Sequence, residues 1–153
     1  MKRLPYAAAA LALGGIILMC MGAYFVFARP PVLPEDLRAM GTSLAAIQVA
    51  LPGLLVWLRR VFWVLGGYIF TTGRMTVYIA LTSFRARASG ATLVAAITGL
   101  TSIGWMVAVN FLIDSDFKWL LLAFSLPWVM AVALRWLKPE QQPDDLVRGS
   151  GDV

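Results

Sequence analysis

Residues 38–60 read RAMGTSLAAIQVALPGLLVWLRR, and the way this stretch folds decides the architecture of the chain. From Ala39 to Leu58 it carries no charge, so hydropathy alone makes it a membrane-spanning helix. Its internal pattern argues otherwise. Leu37, Met40, Leu44, Ile47, Leu51, Leu54 and Leu58 recur at alternating steps of three and four, which makes one continuous apolar stripe on a helix. Arg38, Thr42, Ala45, Gln48 and Val49 fall on the opposite face. A helix divided in this way lies in a membrane interface rather than across it. Pro52-Gly53 interrupts the pattern, and a long span comes next.

Working outward, Leu4 to Ala28 is a first apolar run, long enough for a bilayer core that needs about 20 helical residues. Its basic start, Lys2-Arg3, and its Val26-Phe27-Ala28 end resemble a secretory signal peptide. The apolar part, however, far exceeds the roughly 7–15 residues of a signal's central region, so a retained first helix is expected. Arg29-Pro30-Pro31-Val32-Leu33-Pro34 ends that helix, and Glu35-Asp36 suit the first turn of the next. Val61 to Ser83 is apolar apart from Arg74 and its Thr and Gly residues. Arg85 to Gly90 is a basic loop, Ala91 to Ile113 another apolar run, and Asp114-Ser115-Asp116 a polar turn. Trp119 to Leu137 is the last run, stopped by Lys138-Pro139. Glu140 to Val153 has the composition of a disordered tail.

The pattern predicts an all-α integral membrane protein. A helical membrane domain covers residues 1–137, with four transmembrane helices at about 4–28, 53–84, 91–113 and 118–137 and an interfacial helix at about 35–51. A polar cytoplasmic tail occupies 138–153. The alternative is five transmembrane helices, with 39–58 as the extra one. Charge arbitrates for four. With both termini inside, Lys2, Arg3, Arg85, Arg87, Arg135, Lys138 and Arg148 all lie on the cytoplasmic side, whereas five spans send Arg85, Arg87 and Arg135 out. Arg59 and Arg60 then lie outside and must reach headgroups. The expected location is the plasma membrane, specifically a bacterial inner membrane. Tyr24, Phe27, Trp57, Trp63, Phe117 and Trp119 form one interfacial aromatic belt, and Tyr6, Phe84 and Trp136 the other.

Composition agrees. Apolar residues make up 60% of the 153-residue chain and charged ones 14%, too apolar a surface for a water-soluble domain of this size. The net charge of +5 is spread in small groups at the ends of apolar runs, which suits lipid headgroups and excludes a nucleic-acid patch. The absence of histidine excludes His-ligated haem, His-based metal sites and His general-base chemistry within the chain. The single cysteine, Cys20, allows no intrachain disulfide and reads as a filler.

Few residues could carry function. Ala8, Gly15 and Gly22 repeat every seven residues, with Ala12 beside them. Gly66 and Gly73, and Ala91, Ala95, Gly99 and Ser102, make similar stripes for helix packing. Arg74 is the sharpest position, since a charge deep in lipid costs about 2.5–3.5 kcal/mol and should face protein or water. Counting depth along the spans places Gly14-Gly15, Thr98 to Ser102 and Ser125 to Pro127 at its level. Thr98, Ser102, Ser125 and the Ala123 carbonyl freed by Pro127 are thus its expected partners, in a structural role or around an anionic ligand or lipid headgroup. Asn110, Asp114 and Asp116 are the only acid–amide cluster at a membrane surface. The two aspartates are weak candidates for a hard cation and more simply cap a turn. No catalytic motif is present, and no cofactor is expected. The reading is a non-catalytic accessory or scaffolding subunit whose partners are the bilayer, other membrane subunits or itself. The alternative is a small oligomeric transporter or channel that uses Arg74.

Overall fold

The structure, a computed structural model, describes residues 5–137. All regular elements among them are helices: α1 (Tyr6–Phe27), α2 (Pro34–Met40), α3 (Leu44–Ala50), α4 (Leu54–Phe84), α5 (Ala91–Leu112) and α6 (Lys118–Trp136). Four of them, α1, α4, α5 and α6, are long and apolar enough to cross a membrane. The polar segment 138–153 lies outside the described residues.

α1 is the hub, packed along α4 on one side and along α6 on another, while α5 packs on α6. It carries no charge, and its Ala and Gly residues let neighbours approach closely. Against α4 the approach is backbone to backbone. Gly15 faces Gly73 and Gly22 faces Gly66, in antiparallel register. A Cβ added to Gly22 would lie 2.5 Å from the Phe70 amide nitrogen, and one added to Gly66 would lie 2.7 Å from the Gly22 carbonyl oxygen. Only glycine fits.

The second seam is built around one large side chain. Trp128 of α6 is 3% exposed and lies against Gly14 of α1 and Gly99 of α5. Its indole Nε1–H donates to the Ala95 carbonyl of α5 at 2.6 Å, so the buried donor is satisfied. Just beyond Gly99, α5 widens into an i→i+5 turn over Leu100–Gly104, where the Trp105 N–H donates to the Leu100 carbonyl. α4 ends in a similar wide turn, Ala80–Phe84.

Segment 35–51 differs from the expected single amphipathic helix. It forms two seven-residue helices, α2 and α3, broken at Gly41. Gly41 takes left-handed backbone (φ 62°), and the Thr42 N–H returns to the Leu37 carbonyl, a Schellman-type stop. Ser43 then caps α3 by accepting the Ala46 N–H on its hydroxyl. The leucine stripe is therefore not continuous: Ile47 is buried, while Met40, Leu44 and Leu51 are exposed. A five-helix reading needs one long helix over 39–58, and the breaks at Gly41 and Leu51–Gly53 interrupt that range.

α2 is tied to the α5–α6 turn. Asp36 accepts the Leu33 N–H at 2.8 Å, capping α2, and pairs with Arg29 at 3.4 Å. The Arg29 guanidinium stacks over Phe62 at 3.6 Å from the ring centroid. Burial pushes its pKa down, while the Asp36 carboxylate pulls it back up. Glu35, 3% exposed, accepts a hydrogen bond from the Ser115 hydroxyl, and Arg38 pairs with Asp116 at 2.7 Å. One aromatic departs from its expected place in a belt. Phe84 is 1% exposed, buried beneath the Arg135 guanidinium.

Candidate functional site: the outer face of α4

α4 is held to the rest of the chain mainly along its glycine edge, and the remainder of its surface is open. Gly66, Gly73 and Thr76 are buried, whereas Tyr68, Thr71, Met75 and Tyr78 are exposed. Gly67, Thr71, Arg74 and Tyr78 recur at steps of four, three and four, so they share one stripe. Arg74 is exposed in the middle of it, and Gly67 leaves a shallow notch where an added Cβ would meet nothing within 4 Å.

This corrects the expectation that Arg74 faces the interior. Depth counting gave its height along the helix but not the direction it points. Gly73 faces α1, and a helix turns about 100° per residue, so Arg74 is carried away from that seam. Among the described residues it makes no hydrogen bond or ion pair. The hydroxyls expected to receive it serve their own helices instead. Ser102 donates to the Thr98 carbonyl, and Ser125 to the Leu122 carbonyl at 2.7 Å. Pro127 lies inside α6, and its freed carbonyl at Ala123 is not brought to Arg74.

The other singled-out residues have defined places. Gly15, Gly22, Gly66 and Gly73 form the α1–α4 seam; Ala95 and Gly99 receive Trp128. Asn110 donates to the Met106 carbonyl within α5. Asp114, in left-handed backbone at φ 51°, ends α5, and the Ser115 N–H returns to the Asn110 carbonyl. Asp114 pairs with Lys118, whose hydrogen bond and then charge hold its carboxyl below the ordinary 3.8. With Asp116 on Arg38, the two carboxylates point to separate cations rather than to one centre. Among the described residues no group of three or more Cys, Asp or Glu converges on a metal position. Sequence reasoning missed Glu35, Arg29 and Ser115 as a joined cap. The available signal was Glu35-Asp36 directly after a proline-rich turn, facing a second polar turn at Asp114–Asp116.

The fold defines an all-helical chain with four helices long and apolar enough to cross a membrane. Comparison with protein-family models, with curated proteins and with solved structures gives no match.

Proposed function

We propose that this chain is a multi-pass membrane protein with both termini cytoplasmic. It would be the bacterial inner-membrane, non-catalytic accessory subunit of a larger assembly, acting by lateral contact through the outer face of α4. The observation that carries the reading is Arg74, exposed and unpaired among the described residues two thirds of the way along a 31-residue apolar helix. The turn after Phe84 is roughly 15 Å away along α4, and Arg60 roughly 21 Å, so the charge sits far from either end. Left in lipid it costs about 2.5–3.5 kcal/mol, which a carboxylate on a neighbouring span removes. The chain has no acid within its four long apolar helices, so the counter-charge comes from another protein. α2 and α3 are then the interfacial elements on the outer side.

The same geometry keeps the transporter or channel reading as the alternative. Copies arranged about an axis would turn their Arg74 faces onto a shared path. A photo-crosslinking residue at Tyr78, in native membranes, separates the two. A product whose mass is not a multiple of this chain's, lost in Arg74→Leu and kept in Gly41→Ala, supports the accessory subunit. Products at multiples of this chain support the oligomer. No crosslink from Tyr78 overturns both.

A further inference from the structure

A cavity lies on the other side of the molecule from this face. It is about 600 Å³, bounded by α1, α5, α6 and the start of α2, and within the usual size range of small-ligand sites. Its lining runs from Ile16, Met106 and Phe124 at one end to Arg29, Glu35 and Asp36 at the other, and its flank is open at Ile16, Cys20 and Leu120. Along α1, Ile16 to Arg29 is roughly 20 Å, close to half of a bilayer whose hydrocarbon core is about 30 Å thick plus the adjoining headgroup level. An apolar slot of this length that ends in charged groups has the dimensions of one lipid leaflet.

The charged end has a sign. Asp36 is occupied by Arg29 and the Leu33 N–H, so those two charges offset one another. Glu35 remains. It lines the cavity, is only 3% exposed, and its Oε1 accepts the Ser115 hydroxyl. One cation and two carboxylates leave this end of the cavity short of one positive hydrogen-bond donor. A protonated primary amine supplies both the charge and the N–H groups.

We infer that this cavity binds one acyl chain of an ethanolamine phospholipid from the leaflet on the Arg29 side, with the ammonium group on Glu35. The inference rests on the membrane reading above but not on any protein partner. The apolar walls hold the chain by excluding it from competing lipid packing, and Glu35 selects the headgroup. Phosphatidylglycerol offers no amine. Phosphatidylcholine offers a cation without an N–H.

The chain carries its own probe, because Cys20, its only cysteine, is exposed and lines the cavity. Labelling of Cys20 by a small apolar maleimide is measured on the full chain in mild detergent, with each of the three lipids titrated in. Phosphatidylethanolamine is expected to slow labelling at about tenfold lower concentration than the other two, the margin of one charge-assisted hydrogen bond. Glu35→Gln should erase that preference while leaving slower labelling by all three. Val109→Trp, which fills the cavity wall, should abolish protection by any lipid. Equal protection by the three lipids in the unmodified chain overturns the headgroup assignment. Protection by dodecylamine but not by phosphatidylethanolamine assigns a free amine and overturns the lipid. Protection that survives Val109→Trp overturns the cavity as the site. Carbonate extraction separates these failures from failure of the membrane reading, since a chain that washes off was never in the bilayer.

Discussion

α1 and α4 meet along one seam and contribute the same number of glycines to it, yet they occupy opposite roles in the molecule. α1 continues past the seam into a second contact with Trp128 of α6, and its length contains no charge. α4 stops at the seam and leaves its remaining surface, with Arg59, Arg60 and Arg74, exposed. Close glycine contact thus makes a hub of one helix and a rim of the other. The difference lies in the residue that flanks each seam glycine on its helix. Gly14, beside Gly15, is a second landing place, whereas Arg74, beside Gly73, is a charge that no neighbour among the described residues receives.

The sharpest way to break this contrast is to wedge the seam. Gly22→Leu places a side chain where Phe70 and Gly66 backbone atoms already stand, and should destabilise the chain by about 3 kcal/mol or more, read as a fall in its unfolding midpoint in detergent. Gly67→Leu, one residue from Gly66 but on the open face, should stay within about 0.5 kcal/mol. Equal losses would mean that α4 does not dock on its glycine edge.

Next in size is Trp128→Phe, which tests α1's second contact. It removes the hydrogen bond to Ala95 and part of the ring lying on Gly99, an expected loss of about 1–2 kcal/mol by the same assay. No change would leave α1 with a single packed side.

Smaller still, for the isolated chain, is Arg74→Leu. With no partner among the described residues to strand, it should change stability by no more than about 0.5 kcal/mol, while removing any crosslink from Tyr78 in membranes. A large loss in detergent would place the guanidinium inside the bundle after all.

The least effect is expected at the Asp114–Lys118 pair. Asp114 is depressed in the fold, so its contribution is complete above the ordinary 3.8 and fades as pH falls below that through the folded value. An unfolding midpoint tracked from about pH 6 to about pH 3 should drop slightly less in Asp114→Asn than in the unmodified chain. A difference that instead grows as pH rises would reverse the sign assigned here.

The helical class and the four long apolar helices were legible in the sequence, because each apolar run is bounded by Pro, Gly or charge at Arg29–Pro34, Pro52-Gly53, Arg85–Gly90 and Asp114–Asp116. The break at Gly41 was also written there, as a glycine stop and then a serine cap, but the leucine period ran across it and outweighed it. For Arg74 the sequence held a contradiction. Helix packing asks Gly73 to face protein and burial of charge asks the same of Arg74, yet adjacent residues on a helix cannot point to the same neighbour. The Glu35–Ser115 contact joins residues far apart in the chain, and no local pattern encodes it.

Trp128 also sets an order of assembly. The surface it covers on α1, at Gly14, is synthesised roughly 110 residues earlier, so at about 5–20 residues per second it waits on the order of ten seconds for its partner. Throughout that interval α1 offers a glycine-lined vacancy to whatever else is nearby. Premature docking of α4's open face there would be a natural misfolded state. α6 emerges after the other described helices and is therefore the one that closes their packing, and a chain cut short before Trp128 should be recognised by the cell as unfinished.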